Sequence, residues 1–143
     1  MPGTVTGKHV LWDVSLVVNG VDLSDHVESV EFMVGNNAQP SAAMGQLQDR
    51  SMPGTQTVSN PKITFYQDYA ASKVYATLYT LWQAQTVFNV VGKASSAAKG
   101  TTNPEFTIPV FISEMPLLTG ARGDRHMAPV TCAVAGDLSV STS

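Results

Sequence analysis

The sequence predicts a mainly β, single-domain protein with one α-helix and one long segment between strands that carries no period. Three observations predict it. Residues 104–115 and several shorter stretches alternate apolar and polar side chains with the period of two that a half-buried strand requires. Only residues 71–83 repeat their apolar positions at helical spacing, and residues 35–60 follow neither rule. A chain of 143 residues suits one core, so a single domain over 1–143 is expected.

The first strand is residues 11–18, which run into Asn19-Gly20, a favoured dipeptide for a tight hairpin. Residues 22–26 make a polar corner, and residues 27–34 read as the return strand of the same hairpin. Along it Val30, Phe32 and Val34 share one face, and Ser29, Glu31 and Met33 the other.

Residues 35–60 are filled by Asn36-Asn37, Gln39-Pro40-Ser41, Gly45-Gln46 and Pro53-Gly54, all turn or loop formers. Loops beyond roughly 12–15 residues are uncommon in compact domains unless they bind something or stay disordered. This one is expected to be an interaction loop that orders against partners. A β-excursion anchored by Met44, Leu47 and Met52 is a further option.

Residues 62–67 resume alternation with Ile63 and Phe65 inward. Val74, Leu78 and Leu81 then form the helical stripe, flanked by Tyr75 and Trp82, whose aromatic rings are expected to pack in the core. Asp68 and Ser72 are candidate caps for its start. Residues 87–91 make a short strand and residues 92–103 a loop. In the next strand Phe106, Ile108, Val110 and Ile112 oppose Thr107, Pro109, Phe111 and Ser113, and Pro109, lacking a donor, predicts an edge or a bulge there. Residues 116–125 form a loop, 127–134 a strand, 135–137 a turn and 138–142 a last strand or tail.

Charged residues are only 13% of the chain, about half the usual share, while hydrophobic residues at 43% are ordinary. A surface built from Ser, Thr, Asn, Gln and Ala rather than charge points to faces covered by partners. The net charge of −3 and the scatter of basic residues from Lys8 to Arg125 argue against a nucleic-acid reader, which needs clustered Lys and Arg. With Cys132 alone, no intrachain disulfide or thiolate zinc site can form. Met1-Pro2-Gly3-Thr4 is not a signal-peptide start and no apolar run approaches the roughly 20 residues of a membrane span, so assembly in a cytoplasm is the expectation.

No residues are predicted to be catalytic, cofactor-binding or metal-ligating. Arg122-Gly123-Asp124 spells a tripeptide read by some adhesion receptors, yet the same residues suit any solvated turn. His9, His26 and His126 lie in separate segments without metal-ligand spacing. Cys132, inside an apolar strand, reads as an inert small hydrophobe. Asp22, Asp25 and Glu28 cluster beside Asn19-Gly20, where turn chemistry is the simplest role. There is no Gly-x-Ser-x-Gly elbow and no phosphate loop, so an enzyme is not expected.

Residues 18–30 (beginning Val18-Asn19-Gly20-Val21-Asp22), residues 63–78 and the stretch from Asn103-Pro104-Glu105-Phe106 to Thr131, with Ala43-Met44-Gly45 between them, together resemble the major tail tube proteins of long-tailed siphophages, especially those of actinobacterial hosts. Cys132 departs from the aromatic expected at that point of the last strand. The resemblance implies a β-sandwich or barrel-like tail tube fold with one flanking helix. It implies a structural virion protein whose hexameric rings stack into the tube that conducts genomic DNA, with residues 35–60 as the assembly loop. The implied partners are copies of the chain, a tape measure protein and tail initiation and termination proteins. Double-stranded DNA would pass through a polar or acidic lumen without specific binding, and no membrane is involved. The implied location is the virion, with assembly in the bacterial cytoplasm. Other readings left open are a tail completion protein, a capsid decoration protein, or a small receptor- or carbohydrate-binding β-sandwich using Tyr66 or Tyr79.

Overall fold

The computed structural model describes residues 11–142. In chain order the elements are β1 (Ser15–Val18), β2 (Val21–Asp22), a 3-10 turn (Ser24–His26), β3 (Val27–Glu31), β4 (Val34–Pro40), β5 (Ser51–Val58), β6 (Lys62–Tyr66), α1 (Val74–Ala84), β7 (Phe88–Lys93), β8 (Glu105–Glu114), β9 (Met127–Val134) and β10 (Ser139–Ser141). The fold is mainly β with one helix, as the sequence predicts. One antiparallel sheet runs β2-β1-β7-β8-β9-β6-β3 with β10 added to β8, and β4 and β5 form a separate two-stranded sheet.

Asn19-Gly20 turns the chain as expected, both residues having positive φ (49° and 81°), the geometry of a two-residue hairpin turn. The return strand is not residues 27–34, however. It is the two-residue β2, because Leu23 drops into the core at 1% exposure and the Asp22 carboxylate accepts the Ser24 N–H at 2.9 Å, which ends the ladder. The Ser24 hydroxyl then accepts the Leu16 N–H at 2.8 Å and fixes the corner. β3 leaves in another direction and pairs with β6, with a bulge between Val27 and Ser29.

The long sheet folds over itself. A Cβ placed on Gly92 of β7 would lie 2.8 Å from the Phe32 ring, so the chain leaving β3 packs directly on β7, from which β6, β9 and β8 separate it in the strand order. Between the layers lie Leu16, Val18, Ile63, Phe65, Val90, Ile108, Val110, Val130 and Cys132, all nearly inaccessible. The inward positions of β6 and β8 are those their alternation predicts. Burial pushes the Cys132 thiol up to about 11, which keeps it protonated.

Helix α1 buries Val74, Leu78 and Leu81, the stripe read from the sequence. Neither proposed cap closes its start by a side chain: Asp68 Oδ1 accepts the Ala70 N–H at 2.9 Å and its carbonyl accepts the Tyr75 N–H at 3.1 Å, while Ser72 sits at positive φ. Asp68 is spent on the turn before the helix. At the other end Gln85 adopts a left-handed conformation (φ 54°), sending its N–H to the last carbonyls.

β8 is neither an edge nor bulged at Pro109. It is flanked by β7 on one side and by β10 and β9 in succession on the other. β10 covers Glu105–Thr107 and β9 begins at Val110, so Pro109 falls where the partner changes. Its carbonyl accepts the Ala135 N–H at 2.8 Å, so the donor it lacks faces the gap between the two strands. The bulge of β8 comes later, between Ile112 and Glu114.

Candidate assembly surface

Residues 35–60 are not an irregular loop. Strands β4 and β5 pair from Val34↔Val58 out to Pro40↔Ser51, and the Ser41 N–H extends the ladder to the Arg50 carbonyl at 2.9 Å. Periodicity failed to reveal these strands because neither face is buried: every residue from Met33 to Thr57 is exposed. Val34, assigned by alternation to the core face of Val30 and Phe32, stands outside the core at the root of this arm.

The arm is shaped by its glycines and its polar side chains. Asn37 of β4 faces both Gly54 and Thr55 of β5, a bulge in which the Asn37 side-chain amide donates to Thr55 Oγ1 at 2.7 Å. At the tip the Ala43 N–H donates to Gln46 Oε1, the Gln46 N–H donates to the Ala43 carbonyl, and Gly45 takes φ 90°. This type II arrangement puts Met44 on the outer corner. Neither β4 nor β5 carries a charged side chain, and each contains a proline, Pro40 or Pro53.

A two-stranded hairpin in water is marginal at best. Holding each residue of such an arm costs about 1–2 kcal/mol of backbone entropy, and this arm buries no apolar face of its own to offset it. At about 3.3 Å per residue the seven residues of β4 carry the tip roughly 20 Å from its root. Among the described residues nothing covers either of its faces.

A second exposed surface lies along α1. Tyr69, Tyr75, Tyr79 and Trp82 form a continuous row of ring contacts with centroids 5.2, 5.3 and 5.7 Å apart, and His126 joins at Tyr69. These aromatics are therefore a surface ridge rather than core: Trp82 is 47% exposed. The spacing of Tyr75, Tyr79 and Trp82 along one helical flank was the available signal. The ridge ends at a groove of about 730 Å³ between the end of α1 and β8, lined by Leu81, Trp82, Gln85, Val87, Phe111 and Ile112 among others.

The remaining residues singled out from sequence serve turns and corners. Arg122-Gly123-Asp124 lies in an exposed turn closed by the Asp124 N–H on the Ala121 carbonyl, with Gly123 at φ 89°. His26 Nε2 meets Asp68 Oδ2 at 2.9 Å, and His126 meets the Tyr69 hydroxyl; His9 lies outside the described residues. Asp22 holds Ser24, whose N–H and hydroxyl both donate to its carboxylate and keep it below the usual carboxylate range. Among the described residues no group of three or more His, Cys, Asp or Glu is placed to hold a metal ion, and no helix is long and apolar enough to cross a membrane.

No family model matches this sequence, and no curated protein matches it. Solved structures do match its fold. The SPP1 tail tube, a hybrid solid-state NMR and cryo-EM structure, superposes with a TM-score of 0.69 at 10% identity over 92% of this chain and 77% of that one. A chain of the native gene transfer agent virion gives 0.66 at 10% identity, covering 90% and 95%. A chain of an extracellular contractile injection system, in its sheath/tube terminator structure, gives 0.69 at 10% identity, covering 94% and 96%. The chain has the fold of tail tube proteins, a fold that occurs in phage tails, gene transfer agents and injection systems.

Proposed function

We propose that this protein is a structural subunit of a tail tube, with no catalytic role, whose copies close into hexameric rings that stack into a conduit for DNA. The observation that carries the proposal is the β4–β5 arm, an exposed hairpin whose two strands carry no charge and which gains stability only against another surface. Among the described residues the outer edge of β3 and the end of the sheet at β1 and β2 have no further strand partner, and a closed ring would pair such edges between copies. Low charge suits a molecule most of whose surface is covered in the assembly. The tail and injection-system structures that share the fold support the same reading.

The finer assignment is a major tail protein of a siphophage with an actinobacterial host, assembled in the host cytoplasm on an initiation complex around a tape measure protein. The net charge of −3 suits a lumen that lets phosphates slide rather than holding them. Electron microscopy of the purified protein at rising concentration tests the reading. Hollow tubes of stacked rings are expected, and a monomer at every concentration would overturn it. The injection-system terminator match favours one second reading, a protein that caps a tube, which would give single rings that never stack.

A further inference from the structure

We propose that the cleft beside Trp12 binds a neutral pyranose sugar, which stacks one C–H face on the indole and hydrogen-bonds through its hydroxyls to Asp13 and Asn103. The inference is independent of the tube reading. The cleft, of about 310 Å³, lies between residues 12–13 ahead of β1 and the loop that joins β7 to β8. That volume is at the lower end of the roughly 300–1,000 Å³ of small-molecule sites, which suits a single sugar ring. Trp12 lines it while 83% exposed. The face of an aromatic ring carries negative potential and attracts polarised C–H groups laid across it.

The polar side of the cleft is built in advance. Asn103 is the one buried polar side chain among the described residues, at 9% exposure. Its Nδ2 lies 2.9 Å from the Ala97 carbonyl oxygen and 3.3 and 3.4 Å from those of Ser95 and Ala98, and its backbone N–H and C=O both bond Gly100 at 3.1 Å. The nitrogen is thereby held on the loop, while Oδ1 accepts no hydrogen bond among the described residues. No buried side-chain oxygen described lacks a partner, so Oδ1 reaches accessible surface, and the cleft is the surface that Asn103 lines. The Ser96 hydroxyl donates to Asp13 Oδ2, which ties residue 13 to the same loop and leaves Asp13 Oδ1 open. The free atoms are therefore acceptors, and the Ser95 and Thr102 hydroxyls beside them donate or accept as required. A matching ligand brings several O–H donors on one side and C–H groups on the other, which is the pattern of a pyranose. Asp13 is the sole charged lining residue described. Lys93 Nζ is taken by the Ala97 carbonyl at 3.1 Å and Lys99 pairs with Glu105 at 3.6 Å, so no free cation offsets a phosphate or an acidic sugar, and the ligand is neutral. A loop already ordered adds little ordering cost on binding.

Saturation-transfer NMR on the full chain tests this, with the methyl glycosides of glucose, galactose, mannose and N-acetylglucosamine as probes. At least one is expected to receive saturation, most strongly at the protons of one ring face. Its Kd should be millimolar, the range open to a ligand of about a dozen non-hydrogen atoms. Trp12→Ala, at a position too exposed to disturb the core, is expected to weaken binding about tenfold. Asp13→Ala should weaken it by about as much, whereas Trp82→Ala on the helix ridge should leave the signals unchanged. Absence of transfer to all four sugars, transfer that survives Trp12→Ala, or transfer lost with Trp82→Ala instead would overturn the proposal. So would binding of adenosine in place of the sugars, which would assign the indole to base stacking.

Discussion

Gly54 lies so close to Asn37 that a Cβ added to it would sit 2.6 Å from the Asn37 carbonyl oxygen, a backbone atom that cannot move without breaking the arm's bulge. This contact lies wholly within the exposed arm, so on the proposed reading a change there is expected to act on assembly rather than on folding. Gly54→Ala is expected to leave the thermal midpoint of the monomer unchanged, because no core residue touches the bulge, while assembly followed by light scattering is delayed or lost. A fall in the midpoint would show that the arm belongs to the domain's own stability.

The body has its own close approach in Phe32 on Gly92, where a Cβ would fall 2.8 Å from the ring. Gly92→Ala must displace that ring from the seam where the sheet folds over itself. Overpacking of this kind costs about 1–3 kcal/mol, to be read from the urea midpoint of the monomer. No change would mean that Phe32 is less tightly packed on β7 than the geometry states.

Acid should weaken the fold in part through Asp22. The Ser24 hydroxyl and N–H hold its carboxyl below the usual carboxylate range. A carboxyl depressed in the native state contributes stability that is present above the unfolded value near pH 4 and is lost as pH falls through the lower native value. Asp22→Asn is therefore expected to show a smaller loss of stability between pH 5 and pH 2 than the wild type. Some loss should remain, because Asp68 is also lowered, by the Ala70 N–H and by His26. Identical acid profiles would contradict the role of the Asp22–Ser24 corner.

Gln85 closes α1 from a left-handed conformation that costs a non-glycine residue about 1–2 kcal/mol. Part of that is returned as unfolded-chain entropy when glycine is substituted, so Gln85→Gly is expected to stabilise the monomer by up to about 1 kcal/mol. Thermal unfolding by circular dichroism measures it, and a lower midpoint would refute the capping account.

Core positions were legible in the sequence wherever one face of an element is buried: Ile63 and Phe65, the β8 alternation, and Val74, Leu78 and Leu81 all lie where their periods place them. Asn19-Gly20 was legible as a turn because its backbone demands are local. What followed it was not, because pairing β3 with β6 rather than with β1 is a long-range choice. Pro109 misled for the same reason, since a missing donor is tolerated wherever a strand changes partners and not only at an edge. The arm was invisible to periodicity because its strands have no inside. Its turn residues and its bulge glycine shape a hairpin in which every residue from Met33 to Thr57 is exposed, so no inward face set a period for the eye to follow.

Amide hydrogen exchange across Val34–Val58 tests the central claim most directly. In the monomer the arm's ladder is exposed on both faces and should exchange fast, close to the rate of an unstructured chain, while β6, β8 and β9 stay protected. In the assembled tube the same amides are expected to slow by orders of magnitude as a neighbouring copy covers them. Equal protection of the arm in both states would contradict the account, because the hairpin would then be stable on its own and assembly would have to be driven from another surface.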